Sequence, residues 1–239
     1  MATVPGKTSA ARAMPEAFFL AAIGGFVDAF GVLTLGGLFV AHMSGNSAAF
    51  GAAFGQGNWA SGLPHLVAVP LFVAGLFLGY VWMLHSPTYR RCAWVLLIEA
   101  ALLGAFGAGL YLAGPGVRNS PHYFAMAALP LFAMGLQNAT LREVGRSVFA
   151  TTYVTGVLDA MAKAAAHSLV KSSNEDRGAA LRAGAMWAAY VGGALAGSVG
   201  LLTLHYVVLA VPVVTLLVLA GRFLAIGGTI DQRTSAPEP

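Results

Sequence analysis

Six long apolar stretches dominate the pattern of hydrophobic and polar positions along the chain. They cover roughly residues 16–36, 64–84, 93–113, 122–141, 183–203 and 206–224. A helix needs about 20 apolar residues to cross a hydrocarbon core about 30 Å thick. Each stretch has about that length, so the pattern predicts six transmembrane helices.

Two further segments are ambiguous, because 44–57 is apolar but short and rich in glycine, and 153–170 is amphipathic. Positive charge helps to decide whether they cross, since Lys and Arg are enriched in cytoplasmic loops. If neither crosses and the N-terminus is cytoplasmic, Arg118 alone of the 13 Lys and Arg residues lies outside. If both cross, that contrast weakens, because Arg90, Arg91, Arg142 and Arg146 then lie outside. We therefore expect six spans with both termini in the cytoplasm.

Composition supports a membrane protein and excludes other classes. The chain is 58% hydrophobic and 9% charged, whereas an ordinary soluble domain has about 25% charged residues. Its mean hydropathy is +0.75 and its pI is about 9.5, and we interpret the basic charge as a determinant of membrane orientation, with no nucleic-acid partner. Cys92 is the only cysteine, which excludes an intramolecular disulfide and a metal site built from cysteines.

Three blocks of the first half recur in the second half. The pairs are GFVDA at 25–29 with GLQNA at 135–139, HMSGN at 42–46 with YVTGV at 153–157, and FVAGLFLG at 72–79 with YVGGALAG at 190–197. The chain is therefore interpreted as a duplication of a three-span unit. Since three is odd, the second copy enters the membrane from the opposite side to the first, as in many secondary transporters.

The predicted fold is all-α: a polytopic membrane protein with six transmembrane helices in a 3+3 inverted repeat. Repeat one covers about 15–113 and repeat two about 122–227, within one membrane domain at 15–227. The ambiguous segments become two short half-helix or re-entrant pieces. Residues 1–14 and 228–239 are predicted to be cytoplasmic tails.

Asp28 is the first candidate for chemistry, because it lies near the middle of an apolar span. An ionised carboxylate there is costly unless it is paired or protonated. It could carry a coupling proton or contact a solute, or it could be a protonated structural donor. Its counterpart in the second repeat is Asn138, beside Gln137.

The two polar strings are the next candidates for substrate binding or coupling. The first contains His42, Ser44, Gly45 and Asn46, and the second contains Tyr153, Thr155 and Gly156. Ser44 and Thr155 are suitable N-cap residues, so each string predicts a helix start whose unpaired N–H groups attract an anion or a carboxylate. The alternative is that the strings only cap two short helices. His42 could relay protons or be merely hydrogen-bonded.

Four glycines at helical spacing are interpreted as helix-packing residues, since small residues let helices approach closely. They are Gly75 and Gly79 in the first repeat and Gly193 and Gly197 in the second. Glu99 is a second acid inside an apolar stretch. A structural role or a place at the lipid interface is the favoured interpretation for Glu99.

The blocks GFVDAFGVLTLGGLFVAHMSGN, MGLQNATLREVG and TTYVTGVLDAMAKAA resemble those of the YoaK family of bacterial membrane proteins, a domain of unknown function. The resemblance extends over nearly the whole chain between the tails. Ser44 stands where the family's TGN block has threonine, which keeps the hydroxyl. The resemblance implies a location, the bacterial plasma (inner) membrane, and no activity.

Enzyme motifs such as HExxH, a Walker loop or GxSxG do not occur, so we expect no enzyme, no cofactor and no metal. The favoured function is a secondary transporter or permease for a small solute, for which proton coupling is plausible. The alternative is a non-transporting membrane scaffold or interaction protein. The expected partners are the lipid bilayer and an unidentified small solute, and the sequence is compatible with a homo-oligomer.

Overall fold

The computed structural model describes residues 14–84, 88–145, 154–171 and 173–227. Within these residues the chain is helical and has no β-strand. The helices are α1 (Met14–Thr34), α2 (Met43–Gly55), α3 (Trp59–Leu84), α4 (Tyr89–Ala113), α5 (Pro121–Gly145), α6 (Val154–Lys171), α7 (Asn174–Leu204), a 3-10 helix (His205–Leu209) and α8 (Ala210–Ile226). The all-α prediction is confirmed.

Each of the six predicted spans coincides with a helix, yet fewer stretches meet the criteria for a membrane span. By length and hydropathy, the described residues contain four candidates: Pro15–Thr34, Trp59–Leu84, Tyr89–Ala113 and Asn174–Ile226. The last stretch is 53 residues long and contains two predicted spans, and the 3-10 helix overlaps the start of the second. Helix α5, which coincides with the fourth predicted span, is not among these four candidates.

Hydrogen bonds and packing contacts define two ends of the helical bundle. Nη1 of Arg118 donates to the carbonyl oxygen of Gly36 at 2.6 Å, and its Nη2 donates to that of Ser61 at 3.0 Å. The end of α1, the start of α3 and the α4–α5 connection therefore meet at one end, called here the Arg118 end. At the opposite end, called here the Glu16 end, Nη2 of Arg222 lies 2.9 Å from Oε1 of Glu16.

The interface between α1 and α7 is one of the two most extensive in the bundle. A Cβ atom on Gly193 would collide with the backbone of Ala22, and one on Gly197 would lie 2.6 Å from the carbonyl oxygen of Phe26. Glycine permits this close approach because it has no side chain. Since the contacts advance together along both helices, α1 and α7 run parallel.

The other extensive interface, between α3 and α5, repeats this arrangement. A Cβ atom on Gly75 would collide with the carbonyl oxygen of Phe132, and one on Gly79 would lie 2.6 Å from Cβ of Ala139. These helices also run parallel. The four glycines interpreted as packing residues therefore lie at close contacts within two helix pairs whose sequences match.

The short helices α2 and α6 each pack against the helix that follows them. Gly36 and Ser61 both contact Arg118, so the chain between them leaves the Arg118 end and returns to it. Helix α2 has 13 residues, about 20 Å at 1.5 Å per residue, which is too short to cross a bilayer core. Helix α6 has 18 residues and begins beside α1, where Val157 packs in one cluster with Ala21.

The outer surface of the bundle is strongly apolar. Large exposed side chains include Phe77, Leu112, Leu195, Leu202 and Val214. Contiguous apolar surface on this scale marks contact with lipid or with another protein. Together with the candidate spans, it is compatible with a multi-pass membrane protein.

Candidate functional site

Asp28 is almost fully buried and its carboxylate is surrounded by hydrogen-bond donors. Its Oδ1 accepts from the backbone N–H groups of Val40 at 2.8 Å and Ala41 at 2.9 Å. Its Oδ2 lies 2.6 Å from Nδ1 of His42 and accepts from the Tyr190 hydroxyl at 2.8 Å. These four groups provide the compensation that a carboxylate in an apolar span requires.

The contact between Asp28 and His42 is short and can be made in either hydrogen-bond direction. Oδ1 of Asp28 already accepts two N–H groups, so a proton on this carboxyl would have to lie on Oδ2. Nδ1 of His42, 2.6 Å away, can donate to Oδ2 or accept from it, depending on its tautomer and protonation. The imidazole side chain is 24% exposed, which gives the pair access to its surroundings.

The break after α1 brings these donors to Asp28. Gly36 and Gly37 have φ angles of +66° and +90°, a region that glycine adopts without the penalty paid by other residues. Helix α1 ends at Thr34, and the chain turns back toward Asp28, which lies six residues before that end, about 9 Å along the helix. The chain therefore breaks from the helix at these glycines, and the polar string folds back onto Asp28.

Asn46, in the first turn of α2, holds the chain segment that precedes this helix. It is fully buried, its Nδ2 donates to the carbonyl oxygen of Phe39 at 2.6 Å, and its Oδ1 accepts from the N–H of Phe39 at 3.2 Å. Nδ1 of His65 on α3 lies 3.0 Å from the same Oδ1. Because an amide oxygen only accepts, His65 must donate from Nδ1, which leaves its Nε2 as the acceptor nitrogen in the neutral ring.

The matching blocks of the second half carry less polar side chains at several positions. Val157 corresponds to Asn46 in the matched blocks HMSGN and YVTGV, and Ala183 corresponds to His65 by the offset between the glycine pairs. Val157 and Ala183 pack in one cluster. Tyr190, the partner of Asp28, matches Phe72 in the first half, so the corresponding partner of Asn138 would be a phenylalanine. The polar constellation around Asp28 therefore has a largely apolar counterpart.

Asn138 and Gln137 are both buried on α5. Nε2 of Gln137 donates to the carbonyl oxygen of Leu20 at 3.3 Å. The side-chain oxygens of Gln137 and Asn138 have no hydrogen-bond partner among the described residues. Tyr153, the predicted counterpart of His42, lies outside the part of the chain that the structure describes.

The predicted cap at Ser44 is wrong by two positions. Helix α2 begins at Met43, so the N-cap residue is His42, and no side chain caps it. Ser44 is exposed and Gly45 is partly buried against the ring of Phe39. Helix α6 begins at Val154, so Thr155, which is exposed, and Gly156 lie inside its first turn. The carboxylate that the first string binds is Asp28 of the same chain, held by N–H groups that precede the helix.

Tyr190 and His65 belong to the site and were missed by the sequence analysis. Tyr190 heads the block that matches Phe72 to Gly79, so the extra hydroxyl at this position was a visible difference between the repeats. His65 lay at the edge of an apolar stretch, where a lone histidine carries little information. Its partner Asn46 becomes apparent only when α2 packs against α3.

Glu99 lies apart from this network on α4. It is fully buried, which contradicts a place at the lipid interface, and both carboxyl oxygens have no hydrogen-bond partner among the described residues. Within those residues, no three His, Cys, Asp or Glu side chains lie close enough together to hold a metal ion.

The model of one protein family matches residues 17–221, and that family is described as "Protein of unknown function (DUF1275)". The match covers both halves of the chain and every residue of the site from Asp28 to Tyr190. No curated protein and no solved structure matches the chain.

Proposed function

The chain belongs to the DUF1275 family, whose function is unknown, and from its own residues we propose that it is a secondary transporter or permease for a small solute. The proposed fold is an inverted repeat of six membrane-crossing helices with α2 and α6 as re-entrant pieces. The observation that carries the proposal is the buried Asp28–His42–Tyr190 network, which joins the re-entrant string of the first half to α7 of the second half. The YoaK name is consistent with the family match.

Contacts at the two ends support six crossings. The Arg118 end joins the end of α1, the start of α3 and the α4–α5 connection. At the Glu16 end, the ring of Tyr89 at the start of α4 packs 5.7 Å from that of Phe223 near the end of α8. An alternating path through α1, α3, α4, α5, α7 and α8 satisfies both sets of contacts, with α2 and α6 returning to the end from which they started.

The matching interfaces support opposite insertion of the two repeats. In the proposed repeat α1 corresponds to α5 and α3 corresponds to α7, so the parallel pair α1–α7 corresponds to the parallel pair α3–α5. The glycines of the two pairs correspond one to one. Such pseudo-two-fold symmetry in the membrane plane is typical of secondary transporters whose substrate and ion sites lie near the midplane. The site at Asp28 lies at one of these interfaces.

Proton coupling follows from the way Asp28 holds the polar string. When Asp28 is ionised, it accepts from the string and from Tyr190 together. When Oδ2 is protonated, one of its two donors must rotate or become an acceptor. Protonation therefore changes the bonds between the re-entrant string and the second half. A carboxyl inside a membrane that controls such contacts is a suitable coupling group.

We place the chain in the bacterial plasma (inner) membrane with both termini in the cytoplasm, because that orientation leaves Arg118 as the outside cation of the loops. The proposed role involves no catalytic step and no cofactor. Its partners are the lipid bilayer and a small solute.

Replacing Asp28 with Asn tests the coupling role, because Asn keeps the shape but cannot titrate. A solute is first identified by the rise in melting temperature that it causes in the purified protein, since a ligand that binds only the folded state must stabilise it. In proteoliposomes, Asp28→Asn is expected to exchange this solute but to lose accumulation driven by a pH gradient. Glu99→Gln, at the other buried carboxyl, is the matched control and should accumulate the solute as the wild type does.

Gradient-driven accumulation by Asp28→Asn at the wild-type level would exclude the coupling role. Asp28→Leu separates coupling from folding, because it leaves the donors at Val40, Ala41 and Tyr190 unpaired. It should lose about 1 to 3 kcal/mol of stability, measured as a lower melting temperature than that of Asp28→Asn.

A second candidate function is a non-transporting membrane scaffold. It is favoured by the complete hydrogen bonding of Asp28 and Asn46, since fully paired buried groups serve structure well. If cysteines introduced into both polar strings were inert to small thiol reagents in membranes, and no solute stabilised the protein, the scaffold would be the better proposal.

A further inference from the structure

An apolar groove runs along the outside of the bundle between α3, α4 and α5. Its volume is about 440 Å³, within the range of sites that bind small molecules. The walls are formed by Leu78, Val81, Trp82, Val95, Ile98, Phe132 and Leu136 together with Arg91. Leu78, Trp82 and Ile98 are about half exposed, so the groove opens to the surface that faces lipid in a membrane.

Arg91 is the one cation among the residues that line this groove. Its Nη1 donates to the carbonyl oxygen of Trp82 at 2.7 Å, and its guanidinium carbon lies 5.6 Å from the centre of the Trp82 ring. These contacts hold the side chain at the mouth of the groove. An arginine has five N–H donors arranged to match a phosphate, and one Nη1 bond leaves most of them available.

The position along the bundle fits a lipid headgroup. Arg91 lies in the first turn of α4, close to Tyr89 and therefore at the Glu16 end. A helix N-terminus adds positive potential to that of the arginine. Trp82 beside it is a residue type enriched at membrane interfaces, where its ring lies at headgroup level.

We propose that this groove binds an anionic diacyl phospholipid, with the headgroup phosphate on Arg91 and one acyl chain along the apolar wall. The cation at the mouth of the groove matches an anionic headgroup, and the apolar wall below it matches an acyl chain. Basic pockets between helices on the cytoplasmic side are known to bind such headgroups. The inference depends on the membrane location and is independent of transport.

A second groove provides an internal comparison. It lies between α1, α7 and α8, has a volume of about 200 Å³, and is lined by Phe19, Ala22, Ile23, Phe26, Gly193, Ala196, Val211, Pro212 and Thr215. Ala22 and Phe26 correspond to Phe132 and Leu136 of the first groove by the repeat offset. No cation lines the second groove, so it should not distinguish anionic from zwitterionic lipid.

The test uses the purified full chain in neutral detergent, titrated with phosphatidylglycerol or phosphatidylcholine while the melting temperature is recorded. Phosphatidylglycerol should stabilise the wild type at lower concentration. Arg91→Gln should weaken its apparent affinity about fivefold or more, the effect expected of one basic residue near a lipid surface. Arg90→Gln, at an exposed arginine outside the groove, is the matched control and should keep the preference. Because each variant is compared between two lipids, a general loss of stability cancels.

Ile98→Trp, which fills the groove, should abolish the preference, whereas Thr215→Trp in the second groove should retain it. Equal stabilisation of the wild type by both lipids, or equal losses in Arg91→Gln and Arg90→Gln, would overturn the proposal. So would stabilisation by glycerol phosphate alone as strong as that by the lipid, because the acyl chain would then contribute nothing. A wild-type dimer that becomes a monomer in Ile98→Trp would identify the occupant as a second copy of the chain.

Discussion

At the scale of single residues, the site shows how a carboxylate is accommodated in an apolar helix. The sequence alone indicates that Asp28 needs compensation, because an unpaired charge in a membrane span is costly. It does not identify the donors. Tyr190 is 162 residues away in the chain, and two of the other donors are backbone N–H groups of Val40 and Ala41, which carry no residue-type signal. Partners of this kind become visible only when the helices have packed.

The Tyr190 hydroxyl provides a test at this scale. Tyr190→Phe removes one bond to a carboxylate and keeps the ring, and it recreates the side chain found at Phe72. Hydrogen bonds to charged groups contribute about 1.5 to 3 kcal/mol, so the unfolding free energy should fall by about that amount. Tyr206→Phe is the control, because the ring of Tyr206 packs against Phe30; it should stay within about 0.5 kcal/mol of the wild type. Equal losses in both variants would contradict the assigned role of Tyr190.

At the scale of helices, the sequence pattern predicted the elements better than their ends. Every predicted span coincides with a helix, because long apolar runs carry a strong signal. The start of α2 was misplaced by two residues, since Ser44 is a suitable cap in isolation, while the N-cap residue is His42 and the helix begins at Met43. Asn46 holds the preceding turn through Phe39, and this tertiary contact determines the start of the helix in place of the local propensity.

Adjacent glycines on α7 test the packing at this scale. A Cβ atom on Gly193 would collide with the backbone of Ala22, whereas one on Gly192 would meet nothing within 4 Å. Gly193→Ala should lose about 1 to 3 kcal/mol through overpacking. Gly192→Ala should be neutral or stabilising by up to about 1 kcal/mol, because alanine favours a helix. Thermal unfolding of both variants measures the difference, and similar stabilities would show that α1 and α7 do not approach as closely as described.

At the scale of the whole molecule, the matching blocks differ in polarity, since the first half has Asp28 where the second half has Asn138. The matching blocks predicted which helices correspond, and the interfaces α1–α7 and α3–α5 carry the corresponding glycines. The loss of polarity in the second copy was partly readable from the sequence, since Asn138 replaces Asp28 and Val157 replaces Asn46. The sequence did not show which contacts these differences change, because the partners Tyr190 and His65 come from other helices. Asp28 and its partner His42 both belong to the first half of the chain.

The central claim is that the two polar strings face opposite sides of the membrane and are reached by water. Ser44 and Thr155 occupy equivalent, exposed places in the first turns of α2 and α6, so both tolerate a cysteine. In a Cys92→Ala background, Ser44→Cys and Thr155→Cys are treated with a small, membrane-impermeant thiol reagent, in intact cells and in inside-out vesicles. Ser61→Cys and Ser173→Cys report the two surfaces.

In this experiment Ser44→Cys should react only in intact cells, together with Ser61→Cys. Thr155→Cys should react only in inside-out vesicles, together with Ser173→Cys. Labelling of Ser44→Cys and Thr155→Cys from the same side would contradict the inverted repeat, and the absence of labelling at both, with the two surface controls reacting, would contradict a water-lined path.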